Sequence, residues 1–136
     1  EVDADAPIRR EVWTKLRRTV ASSTVAALTG LDSGATARDP ALRRTMRAAM
    51  QEIAATAAAH GYPLDDDIDV RLEQQTKGSH KPSLLQDLEA GKRVEIAAQL
   101  VAPLELAREA GVPVPTVEML AALLAARARA AGLYDG

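Results

Sequence analysis

The apolar residues of this chain recur at intervals of three and four and nowhere alternate convincingly with a period of two, so the sequence offers helices and no half-buried strand. No fixed-period repeat is present either. The core material is equally restricted. There is no Phe, aromatic residues make up 2% of the chain, and Leu, Val, Ile, Met and many alanines must do the packing, which favours helices at close approach. At 136 residues the chain is the size of one domain and can bury a single core without disulfides or metal. The expectation is an all-α, compact bundle of about six helices.

Ile8, Val12, Leu16 and Val20 step at four, and Ala26, Ala27 and Leu28 continue an apolar face up to Gly30, which predicts one long first helix. Glu11, Lys15, Thr19 and Ser23 form a polar stripe on another face of the same helix. Gly30-Leu31-Asp32-Ser33-Gly34 reads as an ordinary helix exit. Asp39-Pro40 predicts an N-cap and first helical residue, after which Leu42, Met46, Ala49, Met50, Ile53 and Ala57 define a helix that stops at Gly61. Ile68, Leu72 and Gln75 mark a third helix ending near Gly78. Ser83 opens a short fourth that stops at Gly91. Val94 to Ala110 predicts a fifth, kinked at Pro103 and stopped by Gly111. A last helix, from about Thr116 to Ala131, carries Val117, Leu120, Leu123 and Leu124 inward.

Several function classes are disfavoured. The formal net charge is -2, and Lys and Arg are interspersed with Asp and Glu, so nucleic-acid binding is not expected. The longest apolar stretch, near Met119 to Ala126, is too short for a membrane span and runs into Arg127 and Arg129. No signal peptide is apparent. The absence of Cys rules out a disulfide framework and fits a reducing, cytoplasmic compartment. Asp65, Asp67 and Asp69 have the alternate spacing of a calcium loop, but Val70 and Thr76 stand where that loop needs Gly and Glu, so no metal is expected. Acids favoured by a helix N-terminus account for the run. His60 and His80 lack an i, i+4 partner and are expected in surface loops. With neither G-x-G-x-x-G nor a Walker loop, the chain cannot hold a dinucleotide by itself.

Residues 81–96 pack a helix start, a stop and a second start into a few turns, with the Ser83 hydroxyl and the Glu95 carboxylate at the two entrances. Ser83 with Gln86 matches a capping box, and the helix dipole favours Glu95 in the next first turn. Lys15, four residues after Glu11, suits a solvated helix pair worth only about 0.2–0.5 kcal/mol. Thr19, Ser22, Ser23 and Thr24 form a hydroxyl cluster unusual inside a helix, of the kind that faces a pocket or a helix contact.

Taken together, Trp13-Thr14-Lys15-Leu16, Leu28-Thr29-Gly30, the run S-x-x-Q-D-L-E-x-G-x-x-x-E-I from Ser83 to Ile96, and Gly111-Val112-Pro113-Val114-Pro115 resemble the C-terminal domain of the ketopantoate reductase (2-dehydropantoate 2-reductase) family, in its order and spacing. The resemblance implies a helical domain similar to that of 6-phosphogluconate dehydrogenase over residues 8–136. Residues 1–7, which begin with Glu, would then be a linker from a missing N-terminal Rossmann domain. It further implies an NADPH-dependent oxidoreductase that reduces ketopantoate to pantoate in pantothenate biosynthesis, with NADPH bound mainly by the missing domain and this chain alone inactive. By the same resemblance Lys15 is the general acid for the ketone oxygen, an ammonium being suited to that task where a desolvated cleft favours its neutral form. Glu95 holds Lys15 and the substrate in register, Ser83 binds the substrate's polar end, and Thr19 and Ser23 stand where the family usually has substrate-contacting asparagines. Leu100 and Val101 replace a usual Asn-Gly, which implies a reshaped cleft. The expected partners are a small 2-oxo acid and the Rossmann domain, and a homodimer is compatible. Two other readings stay open: a paralogue acting on a different 2-oxo acid or ketone, and a non-catalytic helical module for dimerisation or partner binding.

Overall fold

A single helical rod occupies most of the first thirty residues. In the computed structural model, which describes residues 4–94 and 96–135, α1 (Ala6–Arg18) passes through a π-helical turn (Thr19–Ser23) directly into α2 (Thr24–Thr29). It stops at Gly30, whose φ of 76° is available to glycine without strain. The buried line on this rod is Trp13, Arg17, Val20 and Ala21. Val20, Ala26 and Ala27 of the expected apolar stripe are buried, but its early members are exposed, Ile8 at 65% and Val12 at 61%, and the buried line there lies one position round. Trp13 takes the inward place because its ring stacks on His60, with centroids 5.9 Å apart.

The segment expected to be a simple exit contains an additional short helix, α3 (Ser33–Arg38), capped by Asp32, whose carboxylate accepts from the Ala35 N–H at 2.9 Å. Tertiary contacts hold it in place. Gly34 packs so closely on the backbone of Gly78 that a Cβ there would overlap the Gly78 oxygen. The Ser33 N–H donates to the His80 carbonyl at 2.8 Å, and Arg38 Nη1 donates to the Thr76 carbonyl at 2.7 Å.

α4 (Pro40–Ala59) starts as expected, with Asp39 accepting from the Ala41 and Leu42 N–H groups. It is the central element, and α1, α3, α5 (Ile68–Gln75), α7 (Ala102–Ala110) and α8 (Pro115–Ala130) all pack against it through Met46, Ala49, Met50, Ile53 and Ala57. α6 (Ser83–Glu89) lies on α2. Glu52 of α4 serves α8 as a cap from outside its own sequence: its two carboxylate oxygens accept from the Thr116 N–H at 3.1 Å and the Val117 N–H at 2.9 Å. Val117, Leu120 and Leu124 of α8 are buried as expected, but Leu123 is 51% exposed and faces away. No strand occurs among the described residues.

Two further expectations are corrected. The helix expected from Val94 contains a second π-helical turn (Ala97–Val101), which runs directly into α7, with Pro103 just after it. The irregularity therefore precedes the proline. Val94 itself is buried outside the helix, donating its N–H to the Leu133 carbonyl at 3.2 Å. His60 is not a surface loop residue: it ends α4 half-buried, with Nε2 2.9 Å from the Leu106 carbonyl. His80 is exposed, as expected.

Candidate functional site

The two π-helical turns decide which side chains meet. A π-helical turn inserts an extra residue into a helical repeat and is frequent at functional sites. In the first one it drives Val20 and Ala21 into the core and leaves Thr19, Ser22 and Ser23 along one wall of a cavity of about 600 Å³. Lys15 and Arg18, one turn earlier, line the same cavity. Thr24, the fourth hydroxyl of the cluster, is fully buried instead. In the second, Gln99 lines the cavity, while Leu100 is completely buried. The expected reshaping by Leu100 therefore does not occur through its side chain; the polar Gln99 meets the cavity, and its buried Oε1 has no partner among the described residues.

α6 contributes Ser83 from the opposite wall. The expected capping box does not form. Pro82, extended at φ -57° and ψ 150°, takes the N-cap position and makes Ser83 the first helical residue, where its hydroxyl is not a cap. Gln86 instead donates Nε2 to the Lys81 carbonyl at 2.7 Å. Lys15, Thr19 and Ser23 thus line a single cavity together with Ser83, which is remote from them in sequence. Glu95 lies outside the described residues. The i, i+4 ion pair of Lys15 with Glu11 is not formed, and Lys15 has no salt-bridge partner among the described residues.

α5 supplies what periodicity did not reveal. Gln75 is a hub: its Oε1 accepts from Ser22 Oγ at 2.9 Å, and its Nε2 donates to the Ser33 carbonyl at 3.0 Å and to Thr36 Oγ1 at 3.3 Å. Both ends of its amide are engaged, so Gln75 fixes the π-turn against α3 rather than serving a ligand. Arg71 and Leu72 also reach the cavity, whose described lining includes no Asp or Glu. Asp67 is what holds Arg71 there. Its Oδ2 accepts from Arg71 Nε at 2.6 Å and its Oδ1 from Arg17 Nη2 at 2.6 Å, while Arg17 Nη1 donates to the Asp65 carbonyl at 3.1 Å. Burial pushes the Asp67 carboxyl up, but the hydrogen bonds and charges of Arg17 and Arg71 outweigh it and hold Asp67 below the ordinary carboxylate value. The acidic run thus binds cations of the protein: Asp69 pairs with Arg47 at 2.7 Å in the same way. Among the described residues no three His, Cys, Asp or Glu side chains are grouped as a metal would require.

A second cavity, about 450 Å³, adjoins the first and is lined by Ile8, Glu11, Val12 and Thr14 together with Lys15, Arg18 and Arg71. The exposed apolar residues of α1 therefore flank the lysine.

The chain and its fold resemble known proteins. The family described as Ketopantoate reductase PanE/ApbA C terminal matches residues 7–128. A 2-dehydropantoate 2-reductase of Mesorhizobium japonicum is 35% identical over 129 residues, covering 94% of this chain and 40% of the relative. The crystal structure of 2-dehydropantoate 2-reductase from Methylococcus capsulatus superposes with a TM-score of 0.84 at 31% identity, over 91% of this chain and 44% of that one. A ternary structure of D-mandelate dehydrogenase with NADH and anilino(oxo)acetate, 18% identical with a TM-score of 0.85, covers 96% of this chain and 55% of its own and shares the fold. The chain thus spans about two fifths of the curated relative. No helix among the described residues is long and apolar enough to cross a membrane. With the family pattern matched from residue 7 to residue 128, the chain belongs to the ketopantoate reductase C-terminal domain family.

Proposed function

We propose that this chain is the substrate-binding and proton-donating half of an NADPH-dependent 2-oxo acid reductase, with ketopantoate as the default substrate and pantoate as the product. The observation that carries it is the convergence of Lys15, Thr19, Ser23 and Ser83 on one cavity in a chain of this family. The relatives named 2-dehydropantoate 2-reductase support the choice of substrate. Residues 1–7 lead from an N-terminal Rossmann domain that holds most of the cofactor, and the exposed Ile8 and Val12 suit a surface that such a domain would cover.

Reduced nicotinamide supplies a hydride to the carbonyl carbon when bound. The lining fits the reacting end of such an encounter, with an open, polar, cationic mouth that suits a 2-oxo acid. As the C=O bond breaks, charge develops on oxygen. Lys15 stabilises it as an ammonium and transfers the proton, giving the hydroxyl. Ser83, Thr19 and Ser23 hydrogen-bond the polar end of the substrate, and Glu95, on the family pattern, keeps Lys15 in register. The open mouth lets solvent reprotonate Lys15 after each turnover.

One observation favours a different 2-oxo acid as second choice. Thr19 and Ser23 are shorter than the family's usual asparagines, and Gln99 adds a polar side chain to the lining. The test is to supply the full-length protein with NADPH or NADH and a panel of 2-oxo acids headed by ketopantoate, following nicotinamide oxidation. Ketopantoate-dependent oxidation is expected, and none from the 136-residue chain alone. Failure to oxidise either cofactor with any 2-oxo acid would sink the proposal, whereas a better substrate than ketopantoate would select the second choice.

A further inference from the structure

Lys15, Arg18 and Arg71 line both cavities and so mark the seam between them. Of the three, only Arg71 is clamped among the described residues. Its Nε is held by Asp67 Oδ2 at 2.6 Å, while its terminal nitrogens have no partner among the described residues and its side chain is 40% exposed. The clamp is itself braced, because the other Asp67 oxygen is taken by Arg17, which is 1% exposed. Two guanidinium groups share one carboxylate, which leaves an excess positive charge. Lys15 and Arg18 have no such orienting contact among the described residues. A planar guanidinium fixed at Nε with its terminal N–H groups free is the arrangement that grips a carboxylate in two-point fashion.

The hydroxyls of Thr19, Ser23 and Ser83 can hydrogen-bond a substrate but cannot neutralise it. A 2-oxo acid carries its carboxylate on the carbon next to the reacting carbonyl, so a site that gives Lys15 to the ketone oxygen needs a second cation close by. We propose that Arg71 binds the substrate carboxylate and is the residue that selects 2-oxo acids over the corresponding neutral 2-oxo amides. This rests on the reductase function proposed above and goes beyond it in assigning Arg71.

The experiment uses the full-length protein with Arg71→Gln and Arg71→Lys, and compares ketopantoate and 3-methyl-2-oxobutanoate, each with its primary amide. Loss of a two-point charged contact raises the KM for the acids by about 10- to 100-fold, and the acid-over-amide preference falls by a similar factor. The cofactor KM changes by less than about 3-fold. Arg71→Lys, which keeps the charge and loses the fork, falls between wild type and Arg71→Gln, and remains informative if the Gln variant folds poorly. An acid-over-amide preference that survives both substitutions overturns the assignment. So does a raised cofactor KM with that preference intact, which would place a cofactor phosphate on Arg71. A wild type that reduces no 2-oxo acid refutes the underlying function. A wild type that reduces them with a preference indifferent to Arg71 refutes this inference alone.

Discussion

Replacing Asp67 by asparagine tests the bracing of the site without touching a residue proposed to meet substrate. Arg17 has a side chain only 1% exposed and depends on Asp67 for its single ionic contact among the described residues, while Asp67 is 27% exposed. Depriving a buried charge of its partner costs about 3–5 kcal/mol, and a charge-assisted hydrogen bond is worth about 1.5–3 kcal/mol. The substituted amide would keep a carbonyl acceptor, and water reaches the partly exposed position, so we expect the lower end, about 2–3 kcal/mol. For a chain of this length that corresponds to a loss of roughly 6–15 °C in Tm. The effect also has a pH signature. Because the folded-state value of Asp67 is depressed, its contribution is complete above the unfolded carboxylate value of about 3.9 and is lost as pH falls through the lower, folded one. Urea unfolding of wild type and Asp67→Asn, followed by circular dichroism from neutral to acid pH, should give a constant gap down to about pH 5 that narrows below about pH 4. Equal stabilities at neutral pH, or a gap that widens in acid, would refute this account of the Arg17, Asp67 and Arg71 cluster.

Two other substitutions probe how the walls of the cavity are held. Glu52→Ala removes the carboxylate on the first turn of α8 and should cost about 1–2 kcal/mol, with faster amide exchange at Thr116 and Val117; unchanged exchange would mean that α8 needs no cap. Gly34→Ala would drive a methyl into the Gly78 oxygen, so α3 must shift, at about 1–3 kcal/mol in chemical denaturation; stability equal to wild type would show that the contact is loose.

Much of the fold is legible in local chemistry. Asp39-Pro40 begins α4 as its residue types dictate, and glycine at Gly30 and Gly111 ends α2 and α7, because each stop depends on a few neighbouring residues. What escapes has a common cause. A helical wheel assumes an unbroken 3.6-residue repeat, and the turns Thr19–Ser23 and Ala97–Val101 break it. The family resemblance places Leu100 at the cleft, whereas Gln99 meets the cavity and Leu100 the core. Arg71, Gln75 and Gln99 reach the cavity only through the packing of remote helices, and no local pattern marks them. From its neighbours alone Asp67 is a dipole-favoured acid, but its role depends on Arg17, 50 positions away. Lys15 and Ser83 stand out only by family pattern; taken alone, each looks like an ordinary surface residue.

The central claim is that Lys15 delivers the proton to the reduced ketone. It is tested most directly by the kcat of the full-length Lys15→Ala enzyme at saturating ketopantoate and reduced cofactor. The account predicts a fall of about 10²- to 10⁴-fold in kcat, with an unchanged circular dichroism spectrum. Turnover at the wild-type rate would contradict it.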